Sequence, residues 1–491
     1  HEDELVIDSH LSSGAARTMD TAVTLRFASQ PADLSALGRA LRGRLVEAGD
    51  PSFDDDRQVW NLAHAAEPLA IVRAADARDV ATAVGFARRN GIEIAVRSGG
   101  HSLAGHSTGD GVLVIDLRDL RGLHIDPDAR LAWAGAGLTA GEYTSAVAEH
   151  GLATPFGDTG SVGLGGITLG GGIGWLARKH GLTIDSLLAV EIVLASGQIV
   201  NASETENADL FWAIRGGGGN FGIVTRFCYR LHPVDQILGG ALVLPPTRDV
   251  LRSLVPIAAA APDELTTIGM IMPAPPHPAM PEEHHGRMSL VLMFVYAGDP
   301  DAGRAAIAPF MAVAEPYGVL ASPMPYPGIY DMTAGGAERH ASTTRSVFLD
   351  TLDDAAVDAL MTAIDTIPAG SMIQLRVFGG AMSRVPVAAT AFAHRTAAVQ
   401  VSVMSAFVSE ASAPAAVSWN RGVFAALEPR STGVYANFLE DEGEARIRAA
   451  YPSGAYERLA EIKRRYDPSN VFHRNQNIAP LAGARSIYVD A

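Results

Sequence analysis

Arg97–Ser107 reads RSGGHSLAGHS and Gly157–Gly174 reads GDTGSVGLGGITLGGGIG. The first stretch holds three glycines, two histidines and three serines. Glycine lets a backbone approach a ligand closely, and successive N–H groups form an anion-binding nest. Two such loops suit a large ligand with a negatively charged centre, such as a pyrophosphate. Ordinary turns between strands are the competing reading. What precedes the first loop decides between them. Leu69–Ala74 (LAIVRA) reads as a short buried strand. Asp76–Asn90 follows with Val80, Ala83, Val84 and Ala87 at helical spacing, and Gly91 is suited to stop that helix. Ile92–Val96 (IEIAV) is a second strand, so the unit is βαβ and its strands are expected to be parallel. The RSGGH loop leaves the carboxyl end of that second strand, where α/β proteins bind ligands.

Farther out, Val112–Leu117 is a strand, and Thr139 with Glu142 forms a capping box for a helix reaching about His150. Leu188–Leu194 and Gln198–Ala202 make a hairpin across Ser196-Gly197. Asn207 is expected to cap Ala208–Arg215, and Gly222–Leu231 alternates as a strand. Around Pro233 the texture changes. Helical patterns cover Thr247–Ala261, Pro300–Tyr317, Asp354–Ile367 and Pro414–Leu427, with apolar strands at Leu290–Ala297, Ile373–Gly379 and Val399–Val408. The Pro-rich piece Pro273–Pro281 is a loop. A sheet with helices on one face is expected here. Gly433–Leu439 returns as a strand, then a helix runs from about Asp441 to Tyr466, then an Asn-rich tail.

Composition narrows the function classes. The 491 residues carry 38 basic and 54 acidic side chains, a net charge of −16, which argues against a general nucleic-acid or anionic-membrane binder. The single cysteine, Cys228, excludes an intramolecular disulfide framework and any multi-cysteine metal site. Thr159–Ala177 is uncharged and near membrane length, but its glycines make a poor helix, so a flexible loop is expected there. His1–Ala16 has no apolar core of a signal peptide. The first residue is His1, so processing or added residues are expected, with Met19 a candidate natural start. A soluble, cytoplasmic protein is the resulting expectation, with no nucleic-acid or membrane partner and no sign of oligomeric state.

Three motifs compete with the loop reading. Gly217–Gly222 (GGGNFG) satisfies GxGxxG, but a helix precedes it and a strand follows, the reverse of the Rossmann order. Gly105–Gly109 (GHSTG) satisfies GxSxG, yet no strand precedes it and no helix follows, so a serine hydrolase is a remote alternative. Glu282–His285 lacks the helical spacing that aims metal ligands together, and no metal is expected.

VRSGGHSLAGHS, VGLGGITLGGGIGWLARKHGLTIDSL, DLFWAIRGGGGNFGIVT and YDPSNVFHRNQNIAP together resemble the berberine-bridge-enzyme-like branch of the vanillyl-alcohol-oxidase flavoproteins, whose FAD domain is of p-cresol-methylhydroxylase type. The resemblance spans about Leu69–Leu231 and Gly433–Pro480. It implies an α+β fold in two parts: an FAD-binding domain (30–232, completed by 432–482) and an inserted substrate-binding domain (233–431), a sheet covered by helices. It implies FAD attached through His101, whose alternative is a loop histidine donating to a carbonyl. Many relatives carry a second, cysteinyl link where this chain has Thr159, so one covalent link is expected. Around the cofactor the resemblance places Arg97, Ser98, Gly99, Gly100, Ser102, Gly105 and His106. From the second loop it adds Gly157, Thr159, Ser161, Val162, Gly163, Gly165, Gly166, Gly170, Gly171, Gly172 and Gly174. Beyond these it adds Gly222, Val224, Tyr435, Asn475 and Asn477. Val162, modest in size, fits oxygen access and hence an oxidase. Tyr435 and Asn437 would face substrate and flavin, with positioning the expected role of the phenol. Arg376 is a candidate substrate contact, a solvent-facing arginine with a buried stem being the alternative. The implied reaction is oxidation of a C–OH or C–N bond, or oxidative cyclisation, of a small molecule, with O2 reduced to H2O2. A flavin-dependent oxygenase of favorskiiase type, acting on a polyketide-like substrate of secondary metabolism, is the alternative within the family.

Overall fold

Asp76 closes the first turn of the Ala77–Asn90 helix by accepting the N–H groups of Arg78 and Asp79, and Gly91 ends it at φ +63°. This is from a computed structural model that describes residues 32–481 apart from 235, 279, 408 and 453. The expectations for His1–Ala16, Met19 and the outermost domain limits lie outside the described residues. The strands flanking that helix, Ala70–Arg73 and Ile94–Arg97, both pair in parallel with Leu113–Asp116, which lies between them. Val80, Ala83, Val84 and Ala87 are all buried, so the helical stripe covers the sheet as its spacing requires. A five-stranded antiparallel sheet follows, in the order Leu123–Asp126, Leu131–Gly135, Ile223–Arg230, Leu187–Val193, Ile199–Ser203. Cys228 is buried in its central strand.

The later part of the chain builds a seven-stranded antiparallel sheet. Its order is Gly318–Pro325, Gln236–Leu244, Met288–Tyr296, Leu265–Pro273, Ser371–Val377, Val399–Ala406, Ser342–Leu349. Helices Arg248–Ala260, Pro300–Met311, Asp354–Ile364 and Ala413–Leu427 pack against one face. Strand period two divides the residues cleanly. Leu238, Leu242, Ile373, Leu375 and Val377 join the core under the helices. Their neighbours Gly239, Ala241, Met372, Gln374 and Arg376 face a large cavity.

Several expectations require correction. Four strands of this sheet, starting at Gln236, Leu265, Gly318 and Ser342, read as neither helix nor strand in the sequence. In Gln236–Leu244 the pair Gly239-Gly240 imitates a turn, yet Gly240 is needed because a Cβ there would sit 1.9 Å from the Leu320 carbonyl oxygen. The helix expected to reach Tyr317 stops at Met311, because the next strand starts at Gly318. Asn207 does not cap its helix through its side chain; it adopts φ +48° and donates to the Asn201 carbonyl at 2.7 Å. The glycine-rich stretch is not all loop, since Leu164–Gly170 and Ala177–His180 are helical. Tyr435 and Asn437 are not on a strand: Gly433 makes one bridge to Phe348, and Ala436–Phe438 is a single 3₁₀ turn. The expected Asp441–Tyr466 helix is two, Glu444–Ala450 and Ala455–Tyr466, parted at Pro452 and at Gly454 with φ +79°.

The second of these helices ties the chain's return to the first half. The fully buried Lys463 ammonium donates to the carbonyls of Asn220 and Phe472 and to Asp467, filling its three donors. Among the described residues no helix is long and apolar enough to cross a membrane.

A half-buried histidine pair makes stability depend on pH. His180 and His232 stack at 4.3 Å, and Ser186 Oγ meets His232 Nε2 at 2.8 Å. Burial is the main force holding their pKa values down, to about 3 and about 4, against about 6.5 in an unfolded chain. Between those values the unfolded chain binds more protons, so the pair's stability is intact above about pH 6.5 and lost as pH falls towards 4. The unfolding temperature is expected to drop over that window, and H180Q to flatten the drop in a thermal-melt series.

Candidate active site

The two glycine loops touch backbone to backbone. A Cβ on Gly99 would lie 2.3 Å from the Gly163 nitrogen, and one on Gly163 would lie 2.2 Å from the Gly99 nitrogen. Beside this contact the Ser98 hydroxyl donates to the Ala136 carbonyl at 2.7 Å and accepts the Gly165 N–H at 3.2 Å. The loops form one side of a cavity of about 1390 Å³, and the open face of the seven-stranded sheet forms another.

Most of the residues singled out from the sequence meet on its walls. These are Ser98, Gly99, Gly100, His101, Ser102, His106, Gly157, Thr159, Val162, Gly163, Gly165, Gly166, Gly222, Val224, Arg376, Tyr435, Asn437 and Asn475. The others stand behind the wall. The Arg97 guanidinium turns into the fold, bonding the carbonyls of Asp56 and Gln58 and lying 3.5 Å from Asp116. Gly105 makes room for the His64 ring, and Gly170 for the Asn437 amide. Gly171 accommodates Phe392, Gly172 accommodates Thr183, and Gly174 the Phe156 carbonyl. Ser161 supports His101, its Oγ 3.1 Å from Nε2. Asn477 Oδ1 is buried without a partner away from the wall.

Three groups show what the walls do. The His101 ring stacks on Trp60 at 5.5 Å, and burial pushes its pKa down to about 4, so the imidazole is neutral near pH 7. The buried Tyr435 hydroxyl accepts the Gly172 N–H at 2.9 Å and an Asn437 Nδ2–H at 3.0 Å. With those lone pairs filled and burial pushing its pKa up to about 12, the phenol keeps its proton and has an O–H left to donate. Arg376 is buried and paired, contrary to a solvent-facing reading. It bonds Asp158 at 2.9 Å and Gln374 at 2.8 Å, and lies over the Phe438 ring at 5.1 Å.

Trp60, Asp158, Gln374 and Gln476 also line the cavity, and sequence reasoning missed them. Trp60 and Gln374 lie outside every motif, and Asp158 and Gln476 lie within motifs whose pattern did not single them out; only the threading of the chain brings the four together. Of the competing motifs, Gly217–Gly222 does sit between a helix and a strand, and Gly218, Gly219 and Gly222 reach the cavity. Ser107 Oγ is buried with no hydrogen-bond partner, so it lacks the base a nucleophilic serine needs. In the Glu282–His285 segment, His284 stacks on Tyr317 and His285 Nε2 meets the Met280 carbonyl at 3.1 Å.

The cavity fits a large polar cofactor. Buried polar atoms of His106, Ser107, Trp175 and Asn475 on its walls have no protein partner, and a protein interior rarely leaves such groups unpaired. The bare backbone of Gly99, Gly163 and Gly166 lets a ligand lie directly against peptide groups.

Comparison with known proteins agrees. Residues 68–203 match the family described as FAD binding domain, and residues 434–479 the one described as berberine and berberine like. An uncharacterized FAD-linked oxidoreductase of Bacillus subtilis is 28% identical over 90% of this chain and 98% of its own. The (R)-6-hydroxynicotine oxidase of Paenarthrobacter nicotinovorans is 37% identical over 44% of this chain and 47% of its own. The crystal structure of a glucooligosaccharide oxidase from Acremonium strictum superposes with a TM-score of 0.82, at 26% identity, covering 92% of this chain and 99% of that one. The fold and cavity thus define an FAD-linked oxidoreductase. The matched domains, relatives and solved structures support the berberine-bridge-enzyme-like branch of the vanillyl-alcohol-oxidase and p-cresol-methylhydroxylase superfamily, and the fold is the α+β fold of those neighbours.

The glycine contact gives a direct test. Gly163→Ala forces a methyl into the Gly99 backbone, an overpacking that costs about 1–3 kcal/mol. The variant is expected to melt at lower temperature and to retain less flavin per protein than Gly422→Ala, which lies off the cavity and whose added Cβ meets nothing within 4 Å.

Proposed function

We propose that the protein is an oxidase that holds FAD covalently through His101 alone and oxidises a small alcohol to a carbonyl compound. The carrying observation is His101 itself: a neutral, half-buried imidazole on the cavity wall, carried by the first glycine loop, stacked on Trp60 and bonded to Ser161 of the second. An unprotonated ring nitrogen is the form that can bond to carbon. Thr159 lines the same cavity where relatives were expected to carry cysteine, and a hydroxyl forms no thioether. The Acremonium enzyme is described with a novel flavinylation, so covalent attachment occurs among the structural neighbours.

When bound, FAD supplies a hydride acceptor for the substrate carbon and a route for both electrons to O2. The alcohol gives up its carbinol C–H hydrogen and its O–H proton and becomes a carbonyl compound, while O2 becomes H2O2. Ser98, Gly99, Gly100 and Ser102 would hold the pyrophosphate, and Asn475 the polar edge of the ring. Tyr435 donates its remaining O–H to the substrate oxygen and so aims the carbon. Gly172 and Asn437 keep the phenol oriented. Val162 is small enough to leave oxygen a path, which supports oxidase over dehydrogenase.

Acid-denatured wild-type protein is expected to retain its flavin, and His101→Ala protein to release it. Release from the wild type, or retention by the variant, overturns the single histidyl link. Tyr435→Phe, with flavin content unchanged, is expected to lower kcat/KM about tenfold through loss of one oriented hydrogen bond. Reduced enzyme is expected to reoxidise rapidly in air in a stopped-flow trace; slow reoxidation marks a dehydrogenase.

A further inference from the structure

The cavity roof has a composition of its own. Eight of the chain's 13 methionines line the cavity. Six of them, Met270, Met272, Met293, Met324, Met372 and Met404, lie on strands of the seven-stranded sheet. Packing alone does not explain this. The opposite face of the same sheet builds its buried core from leucine, isoleucine, valine, alanine and aromatic residues, with no methionine in that buried cluster. Met288, at the start of one strand, and Met361, on a covering helix, only flank that core, so six of the sheet's seven strand methionines are on the cavity side. Methionine is unbranched and polarizable, and it adapts to irregular apolar surfaces.

Polar groups on the roof are few. Of its strand residues on the cavity wall, only Ser322, Gln374 and Arg376 are polar. Gln374 and Arg376 bond each other, and Arg376 is neutralised by Asp158. They sit at one end, where Arg376 also covers the Phe438 ring that stacks on Tyr435. A sugar chain carries a hydroxyl on nearly every carbon, and each one stripped of water needs a partner. A surface of thioethers, aliphatic groups and strand glycines supplies none. Its shape suits a molecule with one oxygen-bearing end and a bulky apolar body.

Resting on the oxidase reading above, we propose that the substrate is a bulky, largely apolar alcohol whose body packs on the methionine face. Its carbinol end reaches Tyr435 and Arg376. Oligosaccharides are not its substrates.

The test is an anaerobic titration of oxidised holoenzyme followed by the flavin absorption spectrum, with 9-anthracenemethanol and cellobiose as probes. Anthracenemethanol is expected to perturb or bleach the flavin with a dissociation constant at least about tenfold below that of cellobiose. Tighter binding or selective bleaching by cellobiose overturns the proposal while leaving the oxidase reading intact, and so does silence with anthracenemethanol. A protein that purifies without flavin overturns the oxidase reading, and this proposal with it, before any probe is added. Met293→Gln and Met372→Gln are expected to keep their flavin and weaken anthracenemethanol about tenfold, with Met293→Leu within about twofold of wild type. Unchanged affinity in both glutamine variants overturns the role of the methionine face.

Discussion

The contact between Gly99 and Gly163 constrains everything built around it. Two loops meet with no side chain between them, through glycines 64 residues apart in sequence. Any other residue at either position would put a carbon within about 2.3 Å of a backbone nitrogen. That approach brings Ser98 to Gly165, sets His101 beside Ser161, and starts the short Leu164–Gly170 helix against the first loop. The βαβ unit supplies one loop at the end of its second strand, and the capped helix beginning at Ala140 helps position the other through the Ala140 N–H bond to Val162.

A second set of contacts fastens the late part of the chain to this pair of loops. Asn437 packs over Gly170 and donates to the Gly166 carbonyl, while Tyr435 receives the Gly172 N–H. The Arg376–Asp158 pair joins the sheet to the second loop. A buried ion pair of this kind adds little net stability, but losing one partner strands a charge, so it specifies position more than it strengthens the fold. Glycines that look alike in sequence therefore have two jobs. Some line the cavity; Gly170, Gly171, Gly172 and Gly174 make room for side chains or backbone from elsewhere.

That double use explains what was legible in the sequence. The βαβ unit could be read because its signals are local: Asp76 and Gly91 bracket a helix whose apolar spacing lies in a single window. The Thr139 and Glu142 capping box is equally local. The glycine loops were legible as a ligand cradle, but which glycines face the cavity depends on partners such as Asn437, distant in sequence. The Gln236–Leu244 strand was hidden by Gly239-Gly240, whose need for close approach to the Leu320 strand is a tertiary fact. The helical stretch at Leu164–Gly170 ran against propensity, because packing on the first loop overrides the intrinsic cost of its glycines. Trp60, stacked on His101, had no motif to announce it, and Asp158 stood among the loop glycines with nothing local to announce its pairing with Arg376.

The walls of the cavity come from Trp60 at one extreme of the chain and Gln476 at the other. Such a site has a birth date. A ribosome has released the first glycine loop, the second loop and most of the sheet well before the segment bearing Tyr435, Lys463 and Asn475 emerges. Until then the Asn220 carbonyl lacks the ammonium that will join it to Phe472, and the Tyr435 phenol is missing from the cavity wall. A complete cavity wall is therefore a late product of synthesis, following nearly all of the chain, and the last helix acts as the closing clasp.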